Sequence, residues 1–395
     1  MNPALPGWRV LIVSIEMAAA SPKRIVLVGP MHPYRGGIAH FLETMYWGLQ
    51  ERGHVVDAVT FTRQYPKMLF PGKTQFVRAK PARPIPAARI IDSINPVTWY
   101  KAARHISKSK PDVVLLKYWM PFFAPAFGTI ARRSARAGAR VILVVDNAIP
   151  HERHPGDTQL GRYMLRAAHG CIVMSEAVSR DVEALNKNVP KRLVAHPIYD
   201  MFGDAMQSGD ARKSLGLPPG DPVLLFFGFI RKYKGLHVLL DAMPRIVASL
   251  PNARLVVAGE WYDDEDAYRD QIMRYGLQDH VRFDAAYIPN EDVPRYFSAA
   301  DVVVQPYVSA TQSGVAQVAF NFDKPLIITD VGGLAEVVRH EQDGLVVPPN
   351  DPQALADAVV QFFRENMGNR FKEGVRMRKQ EFGWSKLFEA VESLV

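Results

Sequence analysis

The chain has 395 residues, 48% of them hydrophobic, a length beyond what one compact core supports, so two domains of ordinary size are expected. No apolar run is long enough to cross a bilayer as a helix, the run 10–20 being broken by Glu16, and a lone cysteine, Cys171, excludes an internal disulfide and a multi-cysteine zinc site. The formal charge of +8 points to anionic partners without choosing among phosphate ligands, membranes and nucleic acid.

Residues 1–22 read as an extension ahead of the first strand; Arg9, the apolar run 10–13 and Ala18, Ala19 and Ala20 also give them the outline of a signal peptide. The first strand is expected at 25–28. It is followed by Gly29, Pro30, Met31, His32, Pro33, Tyr34, Arg35, Gly36 and Gly37, then a helix from Ile38. Adjacent glycines at a helix start let backbone approach a ligand, and the free amides there attract an anion. The same spacing suits a plain strand-to-helix turn, and it is neither the dinucleotide fingerprint nor a Walker loop.

After a strand at 55–60, residues 61–96 carry prolines at 66, 71, 81, 84, 86 and 96 with no sustained period. They read as a long loop inside the first domain, a length uncommon unless functional. From 61 to 110 eleven Lys or Arg stand against one acidic residue, Asp92, interleaved with Tyr65, Phe70, Phe76, Trp99 and Tyr100. Strands are expected at 113–116, 141–145 and 171–174, where Cys171 suits a buried structural thiol. The second of these runs into Asp146, Asn147, Ala148, Ile149, Pro150, His151 and Glu152. Turn formers then crowd 196–220, which places the domain boundary there.

The second half repeats the alternation, with strands at 223–227, 255–258, 281–283, 302–305 and 326–329; strands alternating with helical patterns indicate two successive parallel α/β units. Gly228, Phe229, Ile230, Arg231, Lys232, Tyr233, Lys234 and Gly235 lead into a helix at 236–250. Three cations in a glycine-bounded loop at a strand end suit a diphosphate, because fixed charge and helix dipole act together. Ser309, Ala310, Thr311, Gln312, Ser313, Gly314 and Val315 open another helix with caps and bare amides. Asp330, Val331, Gly332, Gly333 and Glu336 repeat the arrangement after the next strand. Residues 371–395 end in an amphipathic helix carrying Trp384, Leu387, Phe388 and Val391.

The order of these pieces, with Ala299, Ala300 and Asp301 leading to Pro306, and Lys324 and Pro325 leading to Gly332 and Gly333, resembles the retaining family-4 glycosyltransferases, also called glycosyl transferases group 1. The resemblance implies an α/β GT-B fold, two Rossmann-like β/α/β domains facing across a cleft with the C-terminal helix crossing back. The implied divisions are an N-terminal extension 1–22, an acceptor-side domain 23–200, a nucleotide-sugar domain 201–370 and a returning helix 371–395.

It also implies a nucleotide diphosphate sugar as co-substrate, with no cofactor and no metal. Arg231, Lys234, Asp146 and His151 are the implied catalytic group. Gly36, Gly37, Tyr287, Ile288, Gln312, Ser313, Gly314, Val315, Gln317, Gly333 and Glu336 are the implied donor contacts, with the acceptor against the N-terminal domain and the Gly36-Gly37 loop. Two departures stand out. The paired glutamates usual before the Lys-Pro step fall on Ala310 and Val318, with Gln317 adjacent, and Asp146 replaces the usual histidine of a His-Asn or His-Asp pair.

Those departures leave open a relative that binds a sugar nucleotide or glycan without transferring it. The basic, aromatic stretch 61–110, with Trp119, Met120, Pro121, Phe122 and Phe123, suits a glycan or lipid-linked acceptor at an anionic membrane surface, hence a cytoplasmic protein peripheral to the inner face of the membrane. Buried rings with solvated cations are the plainer reading of the same residues. Nothing resembling a helix-turn-helix, a zinc finger or an RNP sequence supports nucleic acid as the partner.

Overall fold

A computed structural model describes residues 21–67, 70, 74–77, 81, 83–150 and 154–395. In the first half the strands are β1 (Arg24–Val28), β2 (Val55–Arg63), β3 (Ala88–Asp92), β4 (Val113–Tyr118), β5 (Arg140–Val145), β6 (Gly170–Val173) and β7 (Lys191–Leu193). Between them lie α1 (Gly37–Glu51), α2 (Pro96–Lys108), α3 (Ala124–Arg136), α4 (Asp157–Leu165) and α5 (Glu176–Leu185). The strands pair in parallel in the order β3-β2-β1-β4-β5-β6-β7. β4 is buried at every position, as expected of a strand with helices on both faces of its sheet.

The second half opens with α6 (Ser208–Ser214) and contains β8 (Val223–Phe227), α7 (Leu236–Ser249), β9 (Arg254–Ala258), α8 (Glu265–Arg274), β10 (Val281–Asp284) and α9 (Val293–Ala299). It continues through β11 (Val302–Gln305), α10 (Gly314–Asn321), β12 (Leu326–Thr329), β13 (Gly344–Val347), α11 (Pro352–Arg364), α12 (Gly368–Lys379) and α13 (Trp384–Ser393). Its sheet runs β10-β9-β8-β11-β12-β13, again all parallel. Both sheets reverse their winding beside the first strand, so each has its crevice at the C-terminal strand ends, between β1 and β4 and between β8 and β11. This is the GT-B arrangement of two Rossmann-like units.

α13 returns to the first half. Its Phe388 occupies the space above Gly48 of α1, where a Cβ would come within 2.1 Å of the ring. Burying such a ring contributes on the order of 2–3 kcal/mol. Arg52 grips Glu392 with two hydrogen bonds of 2.7 and 2.8 Å, which hold that carboxyl below its ordinary range, and the Trp384 indole donates to the Ile198 carbonyl at 2.9 Å.

Ten strands fall where the sequence pattern puts them, and three do not appear in that pattern. Residues 61–96 are not one loop: β2 continues to Arg63 and β3 forms the edge of the sheet within the segment. Pro84, Pro86 and Pro96 around β3 disguise it, and flanking prolines are tolerated because an edge strand leaves one row of its backbone groups unpaired. β7 and β13 have three and four residues, too short for a period to show. The rings expected at a membrane surface divide, with Phe76 and Tyr100 exposed and the others buried or half-buried. Phe61, Phe123 and Trp119 are buried, and Tyr65 lies against Phe122 and accepts a hydrogen bond from the Trp119 indole at 2.9 Å.

Candidate active site

The loops at the C-terminal ends of both sheets meet. Gly36 (φ 105°) turns the chain into α1 with no side chain capping the helix, so the first amides of α1 are left to the cleft. Opposite, Ser313 caps α10 by accepting from the Ala316 amide at 3.3 Å, and the Gly314 and Val315 amides open the helix. Between these two helix starts lies a cavity of about 310 Å³ lined by Gly36, Gly37, Lys234, Tyr287, Ile288, Gln312, Ser313, Gly314 and Val315. Nine of the residues expected to act at the donor are thus brought together.

Lys234 supplies the charge. Its ammonium is buried, and that burial, with Arg231 nearby, lowers it to about 8. Among the described residues it has no carboxylate partner. The lysine sits across Gly228 (φ 96°), where a Cβ would come 3.1 Å from Nζ. At Gly235 (φ 71°) a Cβ would meet the Pro306 carbonyl oxygen at 1.8 Å, so glycine is what lets this loop lie against the end of β11. An unpaired buried cation flanked by two helix N-termini is an anion site in electrostatic terms.

The remaining expected residues are placed elsewhere. Arg231 lines no part of the cavity and stacks on Tyr262, 5.0 Å from the ring centroid. Asp146 lies beneath the cavity, where Oδ1 accepts from Lys117 Nζ at 2.7 Å and from Gln312 Nε2 at 2.9 Å; its neighbour Asn147 lines the wall instead. Gln317, Gly333 and Glu336 border a separate space of about 170 Å³. Gly332 and Gly333 are pressed against backbone: a Cβ on the first would strike the Ala310 carbonyl at 1.8 Å, and on the second the Thr311 carbonyl at 2.1 Å and Ser175 at 2.5 Å. Glu336 accepts from the Glu176 and Ala177 amides, at 2.8 and 3.1 Å, and so caps α5 of the opposite half. His151 and Glu152 lie outside the described residues.

Sequence reasoning passed over several residues that shape the cleft. Tyr199 wedges between the two helix starts, donating to the Gly37 carbonyl at 3.2 Å with its ring 3.3 Å from where a Gly314 Cβ would be. Arg35 forms a nearly buried ion pair with Glu260 across the halves and lies over the Tyr287 ring at 4.6 Å. Lys117, wholly buried, stands under the floor with its ammonium 3.4 Å from the Phe41 centroid; desolvation lowers its pKa, and Asp146 opposes the drop. His196 beside this pair is pushed down to about 4 by burial first and Lys117 second. A charged residue inside an apolar strand, Val113-Val114-Leu115-Leu116-Lys117, was the signal that could have found Lys117. For Tyr199 there was none.

The cavity shares His40, Phe202, Glu260, Tyr287 and Asn290 with a groove of about 1210 Å³. Rings of Tyr34, Trp47, Phe76 and Trp384 and carboxylates of Glu43, Glu51, Asp200 and Glu291 line it. Among the described residues no group of three or more His, Cys, Asp or Glu is placed to hold a metal ion. No helix among them is long and apolar enough to cross a membrane.

Two family models match the chain in succession, the glycosyl transferase 4-like domain over residues 36–198 and glycosyl transferases group 1 over residues 207–380. An uncharacterised glycosyltransferase of Methanocaldococcus jannaschii is 25% identical over 92% of this chain and 95% of its own. O-antigen chain mannosyltransferase C of Escherichia coli is 27% identical over 88% of this chain and 90% of its own. Among solved structures, Anabaena HepE in complex with UDP superposes with a TM-score of 0.74 at 17% identity, covering 94% of this chain and all of the other.

Proposed function

The chain belongs to the GT-B glycosyltransferases, and we propose that it moves a hexose from a nucleoside diphosphate to a hydroxyl of a glycan or lipid-linked glycan, with retention, in the assembly of a cell-surface polysaccharide or glycoconjugate. The observation that carries this reading is the cavity where Lys234 and the starts of α1 and α10 converge, opening onto the ring-lined groove. Its volume lies at the small end of the range of ligand pockets. The same fold holds UDP in Anabaena HepE, and the O-antigen mannosyltransferase supports a polysaccharide product.

As the bond between the anomeric carbon and the diphosphate oxygen breaks and the acceptor oxygen bonds to that carbon, negative charge grows on the diphosphate, which takes up the hydroxyl proton as it departs. The Lys234 ammonium and the amides of Gly37, Gly314 and Val315 are fixed in place to receive it, and preorganised donors of this kind are commonly the largest contribution to catalysis. This makes one lysine and backbone amides the neutralising groups. Ala310 and Val318 stand where a relative would offer carboxylates to the donor. Gln312 acts in their place. Its Nε2 is used by Asp146, and its Oε1 is buried without a partner, an acceptor for a hydroxyl of the donor sugar. The rings and carboxylates of the groove suit the apolar faces and hydroxyl edges of acceptor sugars.

Calorimetric titration with nucleoside diphosphates and their sugars, alongside measurement of diphosphate release in the presence of glycan acceptors, tests this reading. Lys234→Met is expected to weaken diphosphate binding about a hundredfold or more. Gln312→Ala is expected to weaken binding of the sugar nucleotide while sparing the free diphosphate, and a chelator to change neither binding nor turnover. Diphosphate binding without turnover of any donor would favour a binding protein, the reading to which Ala310 and Val318 lend weight.

A further inference from the structure

The cations that the cleft does not use gather on one outer face of the first half. Besides the buried Lys117, residues 93 to 145 carry eight Lys or Arg against one acidic residue, Asp112. On α2, Val97, Tyr100, Lys101, Arg104 and Lys108 follow one another at helical spacing and form a single exposed stripe, while Ala102, Ala103 and Ile106 turn inward. Asn95 caps the helix by accepting from the Val97 amide at 3.1 Å, and the Trp99 indole anchors it by donating to the Asp92 carbonyl at 2.7 Å. α3 packs beside it and adds Arg133, whose guanidinium lies 4.2 Å from the Tyr100 centroid, and exposed Arg136. Among the described residues Lys101, Arg104, Lys108, Arg133 and Arg136 form no ion pair.

Apolar surface belongs to the same patch. Ile94, Val97 and Tyr100 are 48%, 59% and 49% exposed, clustered at the start of α2. That start lies at the edge of the sheet where the strands end and the cleft loops begin, because β3 runs parallel to its neighbours.

We propose that the exposed stripe of α2, with Arg133 and Arg136 of α3, is a docking surface for a bilayer carrying anionic lipid. Ile94, Val97 and the Tyr100 ring enter the headgroup region while the five cations meet lipid phosphates. Aliphatic side chains beside unpaired cations separate this partner from nucleic acid, whose backbone offers the cations phosphates but gives Ile94 and Val97 nothing apolar to enter. The patch takes residues 94–108 from the basic, aromatic stretch 61–110 and adds Arg133 and Arg136, which lie outside it. The surface stands independently of the transferase reading.

Flotation of the full chain with vesicles tests it, using phosphatidylcholine alone and phosphatidylcholine mixed with phosphatidylglycerol. The expected result is binding to the mixed vesicles at low salt, loss of binding near about 1 M salt, where charges are screened within about 3 Å, and little binding to the neutral vesicles. Each cation near such a surface contributes about a fivefold factor, so K101Q/R104Q/K108Q/R133Q/R136Q is expected to bind at least about a hundredfold more weakly with its diphosphate affinity unchanged. A second variant, Val97→Ser with Ile94→Ser, keeps the charges and is expected to bind more weakly to the mixed vesicles. Equal binding to both kinds of vesicle, unchanged binding of the five-cation variant, or binding of a duplex oligonucleotide with none to vesicles would each overturn the proposal.

Discussion

Lys234 is a nearly buried cation on the cavity wall, and the charge that acts on it, Arg231, is also positive. Its folded pKa of about 8 lies below the ordinary lysine value of about 10.4, so between those two values the unfolded chain binds the extra proton. Stability is therefore expected to rise as pH increases through that window, with the full penalty present below about 8. Lys324 is lowered to a similar value by burial, so the wild-type rise alone does not isolate Lys234, and the comparison is with Lys234→Met. Urea midpoints measured on either side of pH 8 should rise less in that variant. Ligand binding reports the same group with the opposite slope. Diphosphate affinity should be level below about pH 8 and fall roughly tenfold per unit above it, a break that calorimetry should find missing in Lys234→Met.

At the scale of the element, the loop between β8 and α7 depends on how closely it can lie against the end of β11. The Tyr233 carbonyl accepts from the Val308 amide at 2.7 Å, and Gly235 passes the Pro306 carbonyl with no room for a side chain. Gly235→Ala adds backbone strain and a clash with a carbonyl, and is expected to cost more than about 2 kcal/mol of stability and to displace Lys234 from the cavity. Gly36→Ala makes the control. Its φ of 105° and ψ of 169° also favour glycine, yet nothing lies within 4 Å of the added carbon, so only strain of about 1–3 kcal/mol is expected. Thermal unfolding together with diphosphate titration should rank the two, with Gly235→Ala losing far more binding. The sequence displayed both glycines in loops before helices, and nothing in it distinguished a glycine in open space from one pressed against another strand.

Across the whole molecule, one buried apolar cluster runs from Leu27 and Phe41 through Tyr199 to Leu225 and Phe320, and at the cleft the two halves are further joined by side chains. Glu336 caps α5, the Ser175 hydroxyl donates to the Thr311 carbonyl at 2.8 Å, Gln312 reaches Asp146, and Arg35 pairs with Glu260. Several of these fasten residues 311–312, directly ahead of the α10 amides that line the cavity, so closure of the cleft and the shape of the cavity are coupled. Glu336→Ala removes a carboxylate from a helix N-terminus, an interaction of about 1 kcal/mol, and is expected to shift the balance between closed and open forms about fivefold. Small-angle scattering should show a larger radius of gyration for the variant, and donor KM should rise. Weakened donor binding with unchanged scattering would instead make Glu336 a direct donor contact.

The sequence by itself determined the class of fold, because the alternation of short apolar runs with helical patterns is a local property of the chain, and ten of the thirteen strands among the described residues are written in it. It also displayed the glycine-rich loops around Lys234 and Gly314, which the fold brings to one cavity, since glycines and caps at helix starts act through backbone within a few residues. Edge strand β3 stayed hidden behind its flanking prolines, and β7 and β13 because three or four residues show no period. The tertiary structure alone decided which loops share a cavity. It set Arg231 outside the cavity and Asp146 beneath it, gave Glu336 to a helix of the opposite half, and brought in Tyr199, Lys117 and the Arg35–Glu260 pair. The physical reason is separation along the chain. Arg35 and Glu260 lie 225 positions apart, and a contact of that span is fixed by how two sheets face each other, which no local pattern encodes.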